Sequence, residues 1–186
     1  MKENPICIGF DDAKFELHSN TKTTQLIGVI CQGTRMMKTV RNEIQIDGYD
    51  ATEKLINLVQ ENRNHVQYIL TDTITFGGFN IINLETIFNE TGKPIIAITE
   101  KEVDLELVKN AIMKKFTKDY RKKILNVIKA GNLFETKIPT AGGISKVYFH
   151  SKGISHSTVF ALLQKICIDS KAPEPVRLAH LIGRLF

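Results

Sequence analysis

Apolar residues first gather at Pro5–Phe10 and predict a short strand over Ile6–Asp11. A second run, TQLIGVICQ, is apolar and β-branched and predicts a strand over Thr24–Gln32. MMKTVRNEIQI follows with the period-two alternation of a half-buried strand over Met36–Ile46. Asn20 and Gly33 sit in the joins and suit tight turns, so an antiparallel three-strand meander is expected. The period then changes. Ala51, Leu55, Leu58 and Val59 recur at helical spacing and predict a helix from about Tyr49 to Arg63. VQYILT (Val66–Thr71) and PIIAIT (Pro94–Thr99) are short, almost continuously apolar runs, as strands buried on both faces should be.

Between them a loop, FGGFN, leads into a helix with Ile81, Leu84 and Phe88 on one side. Asp104 is placed to cap a helix carrying Leu105, Val108, Ile112 and Phe116, and a basic helix over Asp119–Ala130 stops at Gly131. Leu133–Ile138 and Lys146–His150 read as two strands around the turn TAGG. Helices over about Ser155–Ile168 and Glu174–Leu185 close the chain. A meander, a helix, then buried strands alternating with helices is an α/β order, a mixed sheet flanked by helices, as in the ribonuclease H-like fold. Without a repeat, linker or low-complexity tract, residues 1–186 are expected to form a single domain.

Composition narrows the class. With 186 residues, 42% of them apolar, the chain is long enough for a sizeable core. No stretch approaches a membrane span, and the N-terminus lacks a secretory pattern. Cys7, Cys31 and Cys167 are far apart and show neither a zinc spacing nor a disulfide framework, so a reduced, cytoplasmic, soluble protein is expected. The net charge of +5 suits a polyanionic partner without requiring one. Lys114, Lys115, Lys118, Arg121 and Lys122 concentrate that charge on the two helices after Asp104, where they either face solvent or grip a phosphate backbone.

The acidic residues carry the chemistry. Asp11 and Asp12 stand together at the end of the first strand, where two ionised carboxylates repel. Asp72 ends VQYILTD, and the two strands are expected side by side and parallel, which brings Asp11 and Asp72 together. Asp50 opens the next helix in DGYDATEK. Oxygen ligands of this kind suit Mg²⁺ or Mn²⁺, with Asp11, Asp12 and Asp72 as ligands and Asp11, Asp50 and Asp72 as the catalytic set. Each also has an ordinary reading: Asp50-Ala51-Thr52-Glu53 is a good capping box, and Asp47 before Gly48 is turn chemistry. It is their occurrence together, on those elements, that favours metal-dependent phosphodiester chemistry.

IGFDDAKF, DGYDATEK, TDTITFGGFN and PEPVRLAHLI resemble the archaeal family filed as DUF99 or UPF0215, whose fold is similar to endonuclease V. The resemblance covers nearly the whole chain. It implies a divalent-metal-dependent repair endonuclease acting on DNA that contains deaminated bases, deoxyuridine in particular. It also implies that Asp11, Asp50 and Asp72 match the family's catalytic carboxylates, and that Phe76, Gly77, Gly78 and Phe79 contact the lesion. The sequence departs from endonuclease V at several points: Asp50 stands for Glu, and Glu100 for a Lys, with Lys101 next. Ile154 stands for a His, and the Pro-Tyr wedge has no counterpart before Asp50. Two other classes stay open: a nucleic-acid-binding protein of this fold without catalysis, and an interaction protein.

Overall fold

A computed structural model describes residues 2–15 and 21–186. In chain order it contains β1 (Ile6–Asp12), β2 (Thr23–Gln32), β3 (Arg35–Gln45), α1 (Ala51–Gln60) and β4 (Tyr68–Asp72). There follow β5 (Thr75–Phe76), β6 (Asn80–Ile81), α2 (Leu84–Thr91), β7 (Ile95–Thr99), α3 (Leu105–Lys115) and α4 (Tyr120–Ala130). The chain ends with β8 (Phe134–Thr140), β9 (Gly143–Lys152), α5 (His156–Ile166) and α6 (Glu174–Gly183). Seven strands form one mixed sheet in the order β3-β2-β1-β4-β7-β9-β8, parallel at β1–β4 and β4–β7 and antiparallel elsewhere.

The expected meander is present, and β1 pairs with β4 in the parallel sense. The turn expected at Asn20 lies outside the described residues. Strands β4 and β7 are central and buried, which is why their sequences are continuous apolar runs rather than alternating ones. The expected helix at Ile81 begins later. Phe76 and Asn80 pair across a three-residue loop, so Ile81 belongs to β6 and the helix starts at Leu84, capped by the Asn83 side chain on Thr86 N–H. Asp104 caps α3 as expected, accepting from Glu106 and Leu107 N–H at 2.8 and 3.2 Å.

The two faces of the sheet carry different layers. Ile8, Phe10 and Ile69 pack with Leu55, Leu84, Ile112 and Val127 of the α1–α4 side. Cys7, Leu70 and Ile96 pack with Val159, Leu162 and Val176 of the α5–α6 side. Helix α6 lies directly on β1, and Gly9 permits this: a Cβ there would stand 2.3 Å from Pro175 C and 2.4 Å from Val176 N. A glycine inside a strand often marks such a close approach. All three cysteines are free and buried, and burial pushes each thiol up to about 12. Among the described residues no helix is long and apolar enough to cross a membrane.

Candidate active site

Strands β1 and β4 run parallel with Phe10 opposite Thr71, so Asp11 and Asp72 follow as neighbours at the same end of the sheet. Pleating decides where they point, because successive side chains of a strand take opposite faces. Cys7 and Gly9 face α5 and α6, and Asp11 continues that row; Leu70 and then Asp72 do the same on β4. Asp11 is 6% exposed, accepts from its neighbour's Asp12 N–H at 2.8 Å, and lies 2.7 Å from His180 Nδ1 of α6.

Asp12 takes the other face. Its carboxylate accepts from Gly77 N–H in the β5–β6 loop. By that alternation the parallel register sets Asp72 beside Asp11, while the Asp12 carboxylate, still within reach of the charges of Asp11 and His180, is turned to the β5–β6 loop. Asp50 does not cap α1 through its side chain. Its Oδ1 accepts from Gln45 N–H at 3.1 Å and from Asn80 Nδ2 at 2.7 Å, while Asn80 Oδ1 accepts from Ala51 N–H at 3.1 Å. The first-turn N–H of α1 is thus satisfied from β6 rather than by the local capping box.

The glycine loop also differs from expectation. Phe76 is fully buried in the core. Phe79 packs edge-on against Phe116, ring centroids 6.0 Å apart. Phe76 therefore presents no ring to a base, whereas Phe79 is half-buried. Gly77 and Gly78 have φ of 49° and 82°, in the left-handed region open to glycine. A Cβ on Gly78 would stand 2.5 Å from Asp47 Oδ1, so a larger residue there crowds Asp47. Of the basic residues, Lys114, Lys118, Arg121 and Lys122 are exposed. Lys115 is tied to Asp47 at 2.5 Å.

Burial and mutual repulsion dominate the electrostatics. Asp72 is pushed up to about 7, first by burial and then by the charges of Asp11, Glu100 and Asp12, with His180 opposing. Asp12 rises to about 6, chiefly through burial. Asp11 is also raised by burial, against the hydrogen bond from His180. Carboxyls that resist ionising beside one another are a frequent sign of a functional site. Asp72 opens onto a cleft of about 460 Å³ whose wall includes Lys101, Glu100, Arg177 and His180. Arg177 is held from two sides by Glu174, at 2.8 Å through both Nε and Nη2.

The donor set is made of hard carboxylate oxygens, which suits Mg²⁺ or Mn²⁺. Among the described residues no group of three or more His, Cys, Asp or Glu is arranged to hold an ion. Magnesium commonly takes one or two carboxylates and completes its shell with water and substrate oxygens, and the Asp11–Asp72 pair fits that pattern. His180 and Lys123 are the site residues that sequence reading missed. His180 comes four residues after buried Val176 and three before buried Gly183, at the border of the face that docks on β1. Lys123 shares the buried stripe of α4 with Val127 and Ala130.

The family model described as endonuclease dU matches residues 6–186. The chain belongs to the endonuclease dU family. A UPF0215 protein of Pyrococcus horikoshii is 35% identical over 185 residues, spanning 98% of this chain and 92% of that one. A crystal structure of a protein of unknown function from Archaeoglobus fulgidus superposes with a TM-score of 0.83 at 28% identity, covering 96% of each chain. Endonuclease V of Ciona intestinalis, solved with a 24mer DNA containing an inosine followed by a ribo-adenosine, gives a TM-score of 0.61 at 12% identity, over 95% of this chain and 82% of that one. The endonuclease V likeness confirms the expected fold, and membership of the endonuclease dU family supports a nuclease.

The observed bonds of Asp50 give a direct test of its role. An Asn at this position keeps an oxygen for Gln45 N–H and Asn80 Nδ2, so Asp50→Asn should cost no more than about 1 kcal/mol in chemical denaturation. If the carboxylate charge serves catalysis, nicking falls by at least about tenfold in the same protein. A variant that melts and cuts as wild type would leave Asp50 with a structural role alone.

Proposed function

We propose that this chain is a divalent-metal-dependent endodeoxyribonuclease that hydrolyses phosphodiester bonds near deaminated bases, with deoxyuridine preferred. One observation carries the reading: Asp11 and Asp72 stand at the ends of adjacent parallel strands, both carboxyls raised by burial and Asp72 also by the charge of Asp11, and Asp72 opens onto a cleft with basic residues in its wall. Asp11 and Asp72 would hold the cation, and Asp50 would complete the acidic set from the start of α1. When bound, the cation supplies an activated water and stabilises the leaving oxygen. His180 holds the Asp11 carboxylate in one orientation through Nδ1. Before a cation binds, burial and the neighbouring carboxylates favour the protonated form of the Asp72 carboxyl. Lys101 and Arg177 offer donors to substrate phosphates in the cleft.

A deaminated base is cheap to lift from the stack, because its pairing is already weakened. A second cavity of about 120 Å³ adjoins Thr73, walled by Val103, Leu105, Val108, Thr75 and His150. Apolar walls with a few hydroxyls suit one pyrimidine ring better than a purine. This cavity, rather than the buried Phe76, is the proposed seat of the lesion.

Labelled duplexes bearing a single uracil, hypoxanthine or abasic site, incubated with Mg²⁺ or Mn²⁺, test the proposal. Nicking should be faster at deoxyuridine than at deoxyinosine, and equal cutting of undamaged duplex would refute the lesion reading. Binding by the exposed Lys114, Lys118, Arg121 and Lys122 makes a separate prediction. Affinity for DNA should fall with salt by roughly one unit of log–log slope per phosphate contact, and neutralising pairs of these residues should flatten it. An unchanged slope would make the helices a solvated face. A catalytically inert DNA-binding protein would keep that salt dependence and show no nicking with either metal.

A further inference from the structure

Lys123 lies where an apolar residue is expected, in the buried stripe of α4, and is 1% exposed. A buried ammonium is tolerated only when its protons are taken up by acceptors. Here three backbone carbonyls do so: Nζ donates to Asp47 O at 2.8 Å, Gly48 O at 2.7 Å and Phe79 O at 2.7 Å. The rings of Tyr49 and Phe116 cover it, with centroids 3.8 and 4.8 Å from Nζ. Burial lowers its pKa to about 8, against the Asp47 carboxylate, which favours the charged form.

The three carbonyls belong to two segments distant in sequence, the turn after β3 and the β5–β6 loop. Those segments hold two of the acidic residues at this end of the sheet, Asp12 and Asp50. Gly77 N–H donates to the Asp12 carboxylate. Asp47 N–H donates to Gly77 O at 2.7 Å, and Phe79 N–H donates to Asp47 Oδ1 at 2.9 Å. Asn80, next to Phe79, donates to Asp50 Oδ1 at 2.7 Å. The ammonium therefore sits at the joint between the segment that holds Asp12 and the segment that carries Asp50. It also fastens that joint to α4, whose outer side carries Arg121 and Lys122.

We infer that Lys123 is a positioning residue: its ammonium clamps the Asp47–Gly48 turn to the loop at Phe79, and so fixes the Asp12 and Asp50 carboxyls. Without it, three carbonyls face one another with no proton between them, and the turn and loop part. Its catalytic consequence rests on the nuclease reading above; the clamp itself does not.

The test compares Lys123→Met, which keeps the chain length and removes the charge, with Val127→Ala, a loss of packing on the same helix. Single-turnover nicking of a uracil duplex by Lys123→Met should fall at least about tenfold below that of Val127→Ala. DNA affinity and its salt slope should match wild type, because a buried ammonium meets no phosphate. Amide exchange should accelerate by at least about tenfold at Asp47, Gly77 and Phe79, while Leu70 and Ile96 change no more than in Val127→Ala. Acceleration spread uniformly through both variants, or a flattened salt slope, would overturn the inference. If Lys123→Met does not fold, Lys123→Gln carries the same comparison. If no form of the protein nicks DNA, the nuclease reading falls and the exchange pattern alone decides the clamp.

Discussion

Replacing Asp72 by Asn should reduce nicking by about a hundredfold or more while leaving the fold intact. An amide cannot offset a divalent charge, and losing several kcal/mol of electrostatic stabilisation corresponds to roughly that factor in rate. The same substitution has an opposite effect on stability. Asp72 in the folded protein titrates near 7, well above an exposed carboxyl. Between those two values the folded state retains a proton that the unfolded state has lost, so the contribution of this group to stability declines as pH rises. Without added metal, Asp72→Asn should therefore melt moderately above wild type at pH 5 and further above it at pH 8. Denaturation at both values checks this, and a variant less stable at pH 8 would show that Asp72 is not strained by its neighbours.

Gly9→Ala should damage the site from a distance. The new methyl would meet the backbone of Pro175 and Val176, at 2.3 and 2.4 Å, and neither can yield as a side chain can. Helix α6 must then lift from β1. Overpacking of this kind costs about 1–3 kcal/mol, and contact with backbone puts it at the upper end. Because α6 carries His180 against Asp11, nicking should fall along with stability. Denaturation and nicking measured on one preparation test both halves. A wild-type midpoint would mean that α6 is not seated on Gly9.

Much of this arrangement is legible in the sequence, and the failures are instructive. The meander and the buried central strands follow from period and order, and the meeting of Asp11 with Asp72 from the likeness of that order to the ribonuclease H-like fold. The Asp104 cap, a purely local device, is legible as well. The opposed directions of Asp11 and Asp12 also follow from period two. The β5–β6 hairpin has strands of two residues, too short for any period to register. Asp50 matches a local capping box, but Asn80, from a different element, supplies the bond to Ala51 N–H. Long-range partners of that kind leave no trace in local spacing. Lys123 does leave one, a lysine in step with Val127 and Ala130, although a basic run makes a single inward lysine easy to read as another surface charge.

The most direct test of the central claim is cleavage of a uracil-containing duplex by metal-stripped protein, followed by addition of Mg²⁺ or Mn²⁺, for wild type and Asp72→Asn in parallel. With Asp72 as a cation ligand there should be no cleavage in chelator, recovery by wild type when the cation returns, and no recovery by Asp72→Asn. Cleavage by wild type in chelator, or equal recovery by the two proteins, would contradict that role.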